Sequence, residues 1–139
     1  MILLDTNIVS EPMRPKASTA VIDWLDRQAP ETLFLASTSL AELALGIALL
    51  PDGRRRQGLD EALRELLGTL FGPRILPFDR TAAEIYAAVI GKARRAGHAI
   101  SFADGQIASI AVAHGFAVAT RDMEPFRAAG VTVIAPWTA

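Results

Sequence analysis

The sequence contains no cysteine, and this absence removes several kinds of site. Without thiols the chain has no disulfide framework, no thiolate zinc site and no cysteine nucleophile. It also has no Gly-x-Gly-x-x-Gly fingerprint, no P-loop and no Gly-x-Ser-x-Gly elbow, so neither a nucleotide cofactor nor a serine triad is expected. The chemistry of this protein has to come from oxygen and nitrogen side chains.

Long apolar runs are missing as well. The most apolar stretch, from Leu40 to Leu50, contains Glu42 and is followed by Pro51, so it is too short and too charged to span a bilayer. The apolar start at Met1 is interrupted by Asp5 and does not resemble a signal peptide. We therefore expect a cytoplasmic protein that does not enter a membrane.

An excess of either charge is also absent. Lys and Arg number 14 against 15 Asp and Glu, which gives a formal net charge of -1 and argues against a polybasic binder or an acidic tail. The 139 residues are enough for one domain over residues 1–139 and too few for two.

Apolar segments of strand length alternate with segments of helical period. The predicted strands are Ile2–Leu4, Leu33–Ala36, Arg74–Phe78, Phe116–Thr120 and Thr132–Ile134. The predicted helices are Ser18–Gln28, Ser37–Leu50, Leu59–Leu70, Thr81–Ala96 and Ser101–His114, with Arg54–Arg56 in an exposed turn. This order predicts an α/β fold, in which a parallel sheet is covered by helices on both faces.

Four acids occupy the positions where such a sheet binds its ligand. Asp5 and Asp122 each follow a predicted strand, whereas Glu42 and Asp104 lie near the start of a predicted helix. Because ligands bind beyond the carboxyl ends of parallel strands, we expect these four side chains to converge. Most other acids lie beside arginines in charged surroundings typical of solvated surfaces.

Simpler roles exist for each acid taken alone. Ser39 and Glu42 have capping-box spacing, as do Ser101 and Asp104, and in such a box the acid only closes a helix end. Asp5 is equally suited to an Asx turn. Four converging carboxylates, however, repel one another unless a cation neutralises them. An all-oxygen site of this kind favours Mg²⁺, with Mn²⁺ as a substitute.

The sequence also resembles a known family over its whole length. The segments around the acids are similar to the four acidic motifs of PIN-domain ribonucleases, the VapC toxins of type II toxin–antitoxin pairs, and most of all to the FitB-like branch. The matching segments are Asp5-Thr6-Asn7, Ser39-Leu40-Ala41-Glu42-Leu43, Ala103-Asp104-Gly105-Gln106-Ile107-Ala108 and Ala119-Thr120-Arg121-Asp122. The resemblance implies a PIN-like three-layer sandwich with a mostly parallel sheet.

The resemblance further implies a Mg²⁺-dependent endoribonuclease that hydrolyses RNA phosphodiester bonds with a metal-activated water. Asp5 and Asp104 would be the main metal ligands, and Glu42 and Asp122 would complete the pocket. Polar residues within the same motifs, Thr6, Asn7 and Thr120, are suited to orienting these carboxylates and equally to turns and helix caps. The implied partners are an RNA substrate, a second copy in a homodimer and a cognate antitoxin of ribbon-helix-helix type, through which DNA would be bound indirectly.

Two other functions, and several other polar residues, have weaker support in the sequence. A phosphotransferase of haloacid-dehalogenase type needs a second acid two residues after its nucleophile, where this chain has Asn7. A non-catalytic partner-binding domain is the other alternative, and the intact set of four acids disfavours it. His98 and His114 suit a loop and a helix end better than catalysis. Arginine clusters suited to RNA phosphates, or simply to solvent, are Arg54, Arg55, Arg56, Arg94 and Arg95.

Overall fold

Strands and helices alternate along the chain in this computed structural model, which describes residues 1–138. The strands are β1 (Ile2–Leu4), β2 (Leu33–Ala36), β3 (Ile75–Leu76), β4 (Ala117–Ala119) and β5 (Val133–Ile134). The α-helices are α1 (Thr6–Ser10), α2 (Thr19–Asp26), α3 (Ser37–Ala48), α4 (Arg54–Glu65), α5 (Arg80–Arg95), α6 (Phe102–His114) and α7 (Met123–Ala128). Short 3₁₀ turns lie at Glu11–Met13 and Pro30–Thr32.

The five strands form one parallel sheet in the order β3-β2-β1-β4-β5. β1 lies at its centre, where Leu4 is opposite Leu35 of β2 and Ala119 of β4. The predicted α/β fold with a parallel sheet and helices on both faces is therefore confirmed. No helix within residues 1–138 combines the length and apolar character needed to cross a membrane.

Each face of the sheet has its own apolar core. Successive side chains of a strand point to opposite faces, so Leu3 and Leu4 lie in different cores. The core of Leu3 includes Ile107 and Ile110 of α6, whereas the core of Leu4 includes Ile8 of α1 and residues of α2, α3 and α4. This gives three layers, with the sheet in the middle.

Several predicted boundaries differ from the structure. Arg54–Arg56 were predicted as an exposed turn, but α4 begins at Arg54, where arginine favours helix and Arg56 pairs with Asp52. Beyond Glu65 this helix continues as a π-helical segment, Leu66–Phe71. Two short helices, α1 and α7, were not predicted, since five or six residues carry too little periodicity. Gly115, at φ 70°, ends α6 where the sequence predicted.

The β2 strand supplies a test of the core. Leu35 is fully buried, so Leu35→Ala should lower the free energy of unfolding by about 2–5 kcal/mol through lost burial and the cavity it leaves. Leu45→Ala, on the exposed face of α3 where Leu45 is 58% accessible, should change it by no more than about 0.5 kcal/mol. Chemical denaturation of both variants measures the difference, and equal effects would contradict this packing.

Candidate active site

The four acids predicted from the sequence lie around one pocket beyond the carboxyl ends of the central strands. Asp5, Glu42, Asp104 and Asp122 all line this acidic pocket, which has a volume of about 370 Å³. Thr6, Asn7, Ser10 and Ser101 complete its walls. Residues separated by more than 100 positions in the chain thus share one solvent-filled space, as the positions of the strands and helices predicted.

Asp5 is the buried centre of this pocket, with only 3% of its surface exposed. Its main-chain nitrogen extends the sheet by donating to the carbonyl of Ala119 at 2.9 Å. One carboxylate oxygen accepts from the main-chain nitrogen of Thr6 at 2.8 Å, which begins α1. The other accepts from the Thr120 hydroxyl at 2.8 Å and from the Asn7 amide at 3.5 Å. Strand pairing and helix capping therefore fix this carboxylate in place.

Glu42 approaches from α3 and is held by α1. Its carboxylate accepts a hydrogen bond from the Thr6 hydroxyl at 2.8 Å. The capping interpretation does not hold for this residue, because α3 begins at Ser37 and Ser39 lies inside the helix. The Ser39 hydroxyl is buried and has no hydrogen-bond partner within residues 1–138. Glu42 is thus free of a capping role and exposed to the pocket.

The capping interpretation holds in part for Asp104. The Ser101 hydroxyl accepts from the main-chain nitrogen of Asp104 at 3.1 Å and begins α6. This cap uses the main chain of Asp104, so its half-buried carboxylate still lines the pocket. At Asp122 the main-chain nitrogen donates to the Thr120 hydroxyl at 3.0 Å, while the exposed carboxylate caps no helix. Thr120 therefore connects Asp5 to the loop that carries Asp122.

Burial and mutual repulsion weaken the acidity of this cluster. Burial, together with the charges of Asp104 and Glu42, raises the pKa of Asp5 from 3.8 to about 6, although the Thr120 hydrogen bond opposes the rise. The pKa of Asp104 is raised by burial and then by the charges of Glu42 and Asp122. The carboxylates are close enough to repel one another, and this is the condition that a bound cation relieves.

The acidic pocket offers oxygen donors to a divalent metal ion but, within the described residues, does not form a closed cage. As the side chains stand, no three Asp, Glu or His residues among residues 1–138 close round a single ion. Mg²⁺ does not need such a cage, because it is typically held by one or two carboxylates and retains several waters. A pocket of carboxylate and hydroxyl oxygens, with the buried Asp5 carboxylate whose pKa is raised mainly by burial, fits that requirement.

Other residues near the site were missed or misjudged from the sequence. Ser10 lines the pocket because α1, which was not predicted, turns it inward. Arg121 directly precedes Asp122, a spacing that by itself suggests a surface ion pair, yet its guanidinium carbon lies 4.4 Å from the centre of the Trp137 ring. This cation–π contact joins the loop after β4 to Trp137, near the end of the described chain. The presence of a tryptophan there is the sequence feature that could have suggested it.

Of the five arginines considered for RNA contact, only Arg55 lines a cavity beside the acidic pocket. Arg56 is paired with Asp52. Arg94 and Arg95 lie in the last turn of α5, where positive charge suits the helix end, and neither belongs to the described lining of the acidic pocket or of the cavity beside it.

Comparison with known proteins was made against family models, curated sequences and solved structures. The PIN domain model matches residues 2–131. The chain is 52% identical to the plasmid stability protein StbB of Pseudomonas syringae pv. tomato, over the full length of both. It is 48% identical to the VapC ribonuclease Y4jK of Sinorhizobium fredii, over 99% of this chain and 98% of the relative. It is 47% identical to the toxin FitB of Neisseria gonorrhoeae, over 99% of each.

Solved structures agree with these sequence matches. The crystal structure of FitAcB from Neisseria gonorrhoeae superposes with a TM-score of 0.94 and 46% identity, over all of both chains. A structure of FitAB bound to an IR36 DNA fragment gives the same TM-score, 0.94, with 45% identity over 99% of this chain and 96% of that one.

The raised pKa of Asp5 leads to a test of pH-dependent stability. The folded protein binds this proton more tightly than the unfolded chain, so metal-free stability falls as pH rises from about 4 to about 6. Asp5→Asn removes the buried charge and should raise stability at pH 7.5 by as much as about 3 kcal/mol. Near pH 4 the gain should disappear.

Thermal melting of both proteins in EDTA at the two pH values measures this difference. Added Mg²⁺ should raise the melting temperature of the unsubstituted protein at pH 7.5 and leave that of Asp5→Asn unchanged. A variant less stable than the unsubstituted protein at pH 7.5 would contradict the electrostatic account of the pocket.

Proposed function

This chain belongs to the PIN-domain family, and from that premise we propose that it is a divalent-metal-dependent endoribonuclease acting as the toxin of a type II toxin–antitoxin pair. Residues 1–139 would act as a single PIN domain in the cytoplasm. The observation that carries the proposal is the convergence of four carboxylates round the buried Asp5, at the edge of the sheet where ligands bind. The names of its relatives, a VapC ribonuclease and a toxin, support the same activity.

In this mechanism Asp5 and Asp104 would hold the metal, and Glu42 and Asp122 would complete the pocket. Mg²⁺, or Mn²⁺ in its place, supplies an activated water and neutralises charge on the phosphoryl oxygens when bound. Asp5 is the rigid ligand, because hydrogen bonds from Thr6 and Thr120 fix both of its oxygens. Glu42 and Asp122 are exposed, which suits the orientation of water against the phosphodiester.

Thr6, Asn7 and Thr120 would orient the carboxylates. The Thr6 hydroxyl donates to Glu42, whereas Asn7 and Thr120 donate to Asp5. Asn7 stands at the position where a haloacid-dehalogenase phosphotransferase carries its second acid, and here its amide supports the first acid instead. This contact favours the nuclease over that alternative.

The proposed partners are RNA, a second copy of the chain and an antitoxin of ribbon-helix-helix type. The FitAB relative was solved bound to a DNA fragment. Our chain has a formal net charge of -1, so we place DNA contact on the antitoxin and not on this chain. Apolar side chains exposed just after α3 and at the start of α6, Leu49 and Phe102, support the presence of protein partners.

The metal mechanism is tested by removing its ligands one at a time. Purified protein should cut single-stranded RNA with Mg²⁺ or Mn²⁺ and stop when EDTA is added. Asp5→Asn and Asp104→Asn should each lower kcat/KM by more than about 100-fold, because losing a metal ligand should cost more than losing a residue that only supports a ligand by a hydrogen bond. Asp23→Asn, on the exposed face of α2, is the matched control and should leave kcat/KM unchanged. Cleavage that survives both EDTA and Asp5→Asn would refute the mechanism.

The positioning role of Thr120 has its own test. Thr120→Val keeps the shape of a fully buried side chain but removes the hydroxyl that connects Asp5 to the Asp122 loop. We expect the Mg²⁺ concentration for half-maximal cleavage to rise about 10- to 100-fold. Thr81→Val, at an exposed position in α5, should not move it. If both variants have the same Mg²⁺ dependence, the hydroxyl does not position the ligand.

A further inference from the structure

A second cavity adjoins the acidic pocket and shares three of its residues. This side cavity has a volume of about 310 Å³ and is bounded in part by Thr6, Ser10 and Glu42, which also line the acidic pocket. It extends from there between α3 and α4. An RNA strand whose scissile phosphate lies at the four carboxylates therefore has room to place the adjacent nucleotide in the side cavity.

The chemistry of the side cavity differs from that of the acidic pocket. Its walls are mainly apolar and include Leu43, Leu50 and Leu59. Two exposed arginines also line it: Arg55, and Arg14, which is ion-paired with Glu11 at 3.4 Å. Apolar walls with a few charged groups suit a flat aromatic ring that carries a phosphate outside the cavity. Arginine suits phosphate in particular, because its planar fork donates two hydrogen bonds at once.

Gly46 keeps the side cavity open. It lies inside α3, where glycine destabilises a helix relative to alanine. Close packing does not explain its presence, because a β-carbon built at this position would meet nothing within 4 Å. The missing side chain instead leaves space in the wall of the side cavity.

We propose that the side cavity binds the nucleobase of the nucleotide adjacent to the scissile phosphate of an RNA substrate. This inference rests on the proposed ribonuclease function and adds to it a base-binding subsite. Unstacked bases of single-stranded RNA are recognised by stacking on aromatic side chains or on the planes of arginine guanidinium groups, and in the side cavity the arginines supply such planes. The shared walls, the arginines at the edge and the open position at Gly46 all match that mode of binding.

The test uses Gly46→Leu, which should fill the side cavity without disturbing the helix. Gly58→Leu is the matched control, because Gly58 lies exposed in α4 with nothing within 4 Å of a built β-carbon and is not among the residues that line the side cavity. Both variants should melt at or above the temperature of the unsubstituted protein. If Gly46→Leu fails to fold, the smaller change Gly46→Ala replaces it.

Cleavage of random-sequence RNA oligonucleotides with Mn²⁺ first identifies a cut site. One oligonucleotide with that site is then compared with copies in which each nearby nucleotide is replaced by an abasic one. For the unsubstituted protein and Gly58→Leu, one abasic position next to the cut should lower kcat/KM by about tenfold or more. Gly46→Leu should show a similar loss on the intact oligonucleotide and little further loss at that abasic position.

Arg55→Gln adds an independent readout. It should reduce the slope of log kcat/KM against log salt concentration by about 0.7, the value for one phosphate contact on a single strand. Arg54→Gln is the control, since Arg54 is exposed and lies outside the described lining of the side cavity.

The inference is overturned if Gly46→Leu cuts the intact oligonucleotide as well as the unsubstituted protein does, or if it remains fully sensitive to the abasic position. It is also overturned if Gly46→Leu leaves RNA cleavage unchanged and weakens inhibition by a protein partner, because the side cavity would then hold a peptide. An unsubstituted protein that cuts no RNA with metal refutes the ribonuclease function, and the inference with it. Cleavage by the unsubstituted protein with either of the first two results refutes the base-binding subsite alone.

Discussion

The central position of β1 in the parallel sheet is the constraint on which the site depends. β1 pairs with β2 on one side and with β4 on the other. The chain after β1 continues towards β2, whereas the chain after β4 continues towards β5 at the opposite end of the sheet, so the connections leave these two neighbouring strands in opposite directions. A crevice opens at such a point, beyond the carboxyl end of the central strand. Asp5 is the first residue after β1, and its main-chain hydrogen bond to Ala119 places it at the floor of this crevice. The other three acids reach it from the elements on either side.

Placing a carboxylate at this floor has a cost in stability. Asp5 is almost fully buried, and repulsion from Asp104 and Glu42 adds to the penalty of burial. Hydrogen bonds from Thr6 and Thr120 recover part of it. The remainder is a reserve of unfavourable electrostatic energy that a cation releases on binding. Under the proposed mechanism, stability and activity are therefore opposed at this residue, as is common where a site concentrates charge of one sign.

The near-balance of charge in the composition conceals this concentration. Setting the four acids aside, the rest of the chain carries three more basic than acidic side chains. An acidic pocket within a mildly basic surface would suit the proposed RNA substrate once the proposed cations occupy the pocket. Arg14 and Arg55 beside the pocket show how such bases are distributed locally.

The sequence by itself determined the fold class and the identity of the four acids. Helices such as Thr81–Ala96 are long enough to show a clear period, and Ile2–Leu4 is a continuous apolar run typical of a strand buried on both faces. Acids that directly follow strands are placed by the topology of a parallel sheet. It did not determine α1 and α7, because helices of five or six residues show little periodicity. It also did not determine the start of α4 at Arg54, because the ion pair of Arg56 with Asp52 is a single contact with no pattern in the sequence.

Only the tertiary structure decided which residues cap a helix and which hydrogen bonds hold the four acids. Ser101 caps a helix and Ser39 does not, although both have the same spacing to an acid. The hydrogen bond from Thr6 to Glu42 joins residues 36 positions apart, and that from Thr120 to Asp5 joins residues 115 positions apart. The open space at Gly46 depends on α4 packing beside α3. Contacts between distant segments have no periodic signature in the sequence, because they arise from how the elements pack and not from the local preferences that form them.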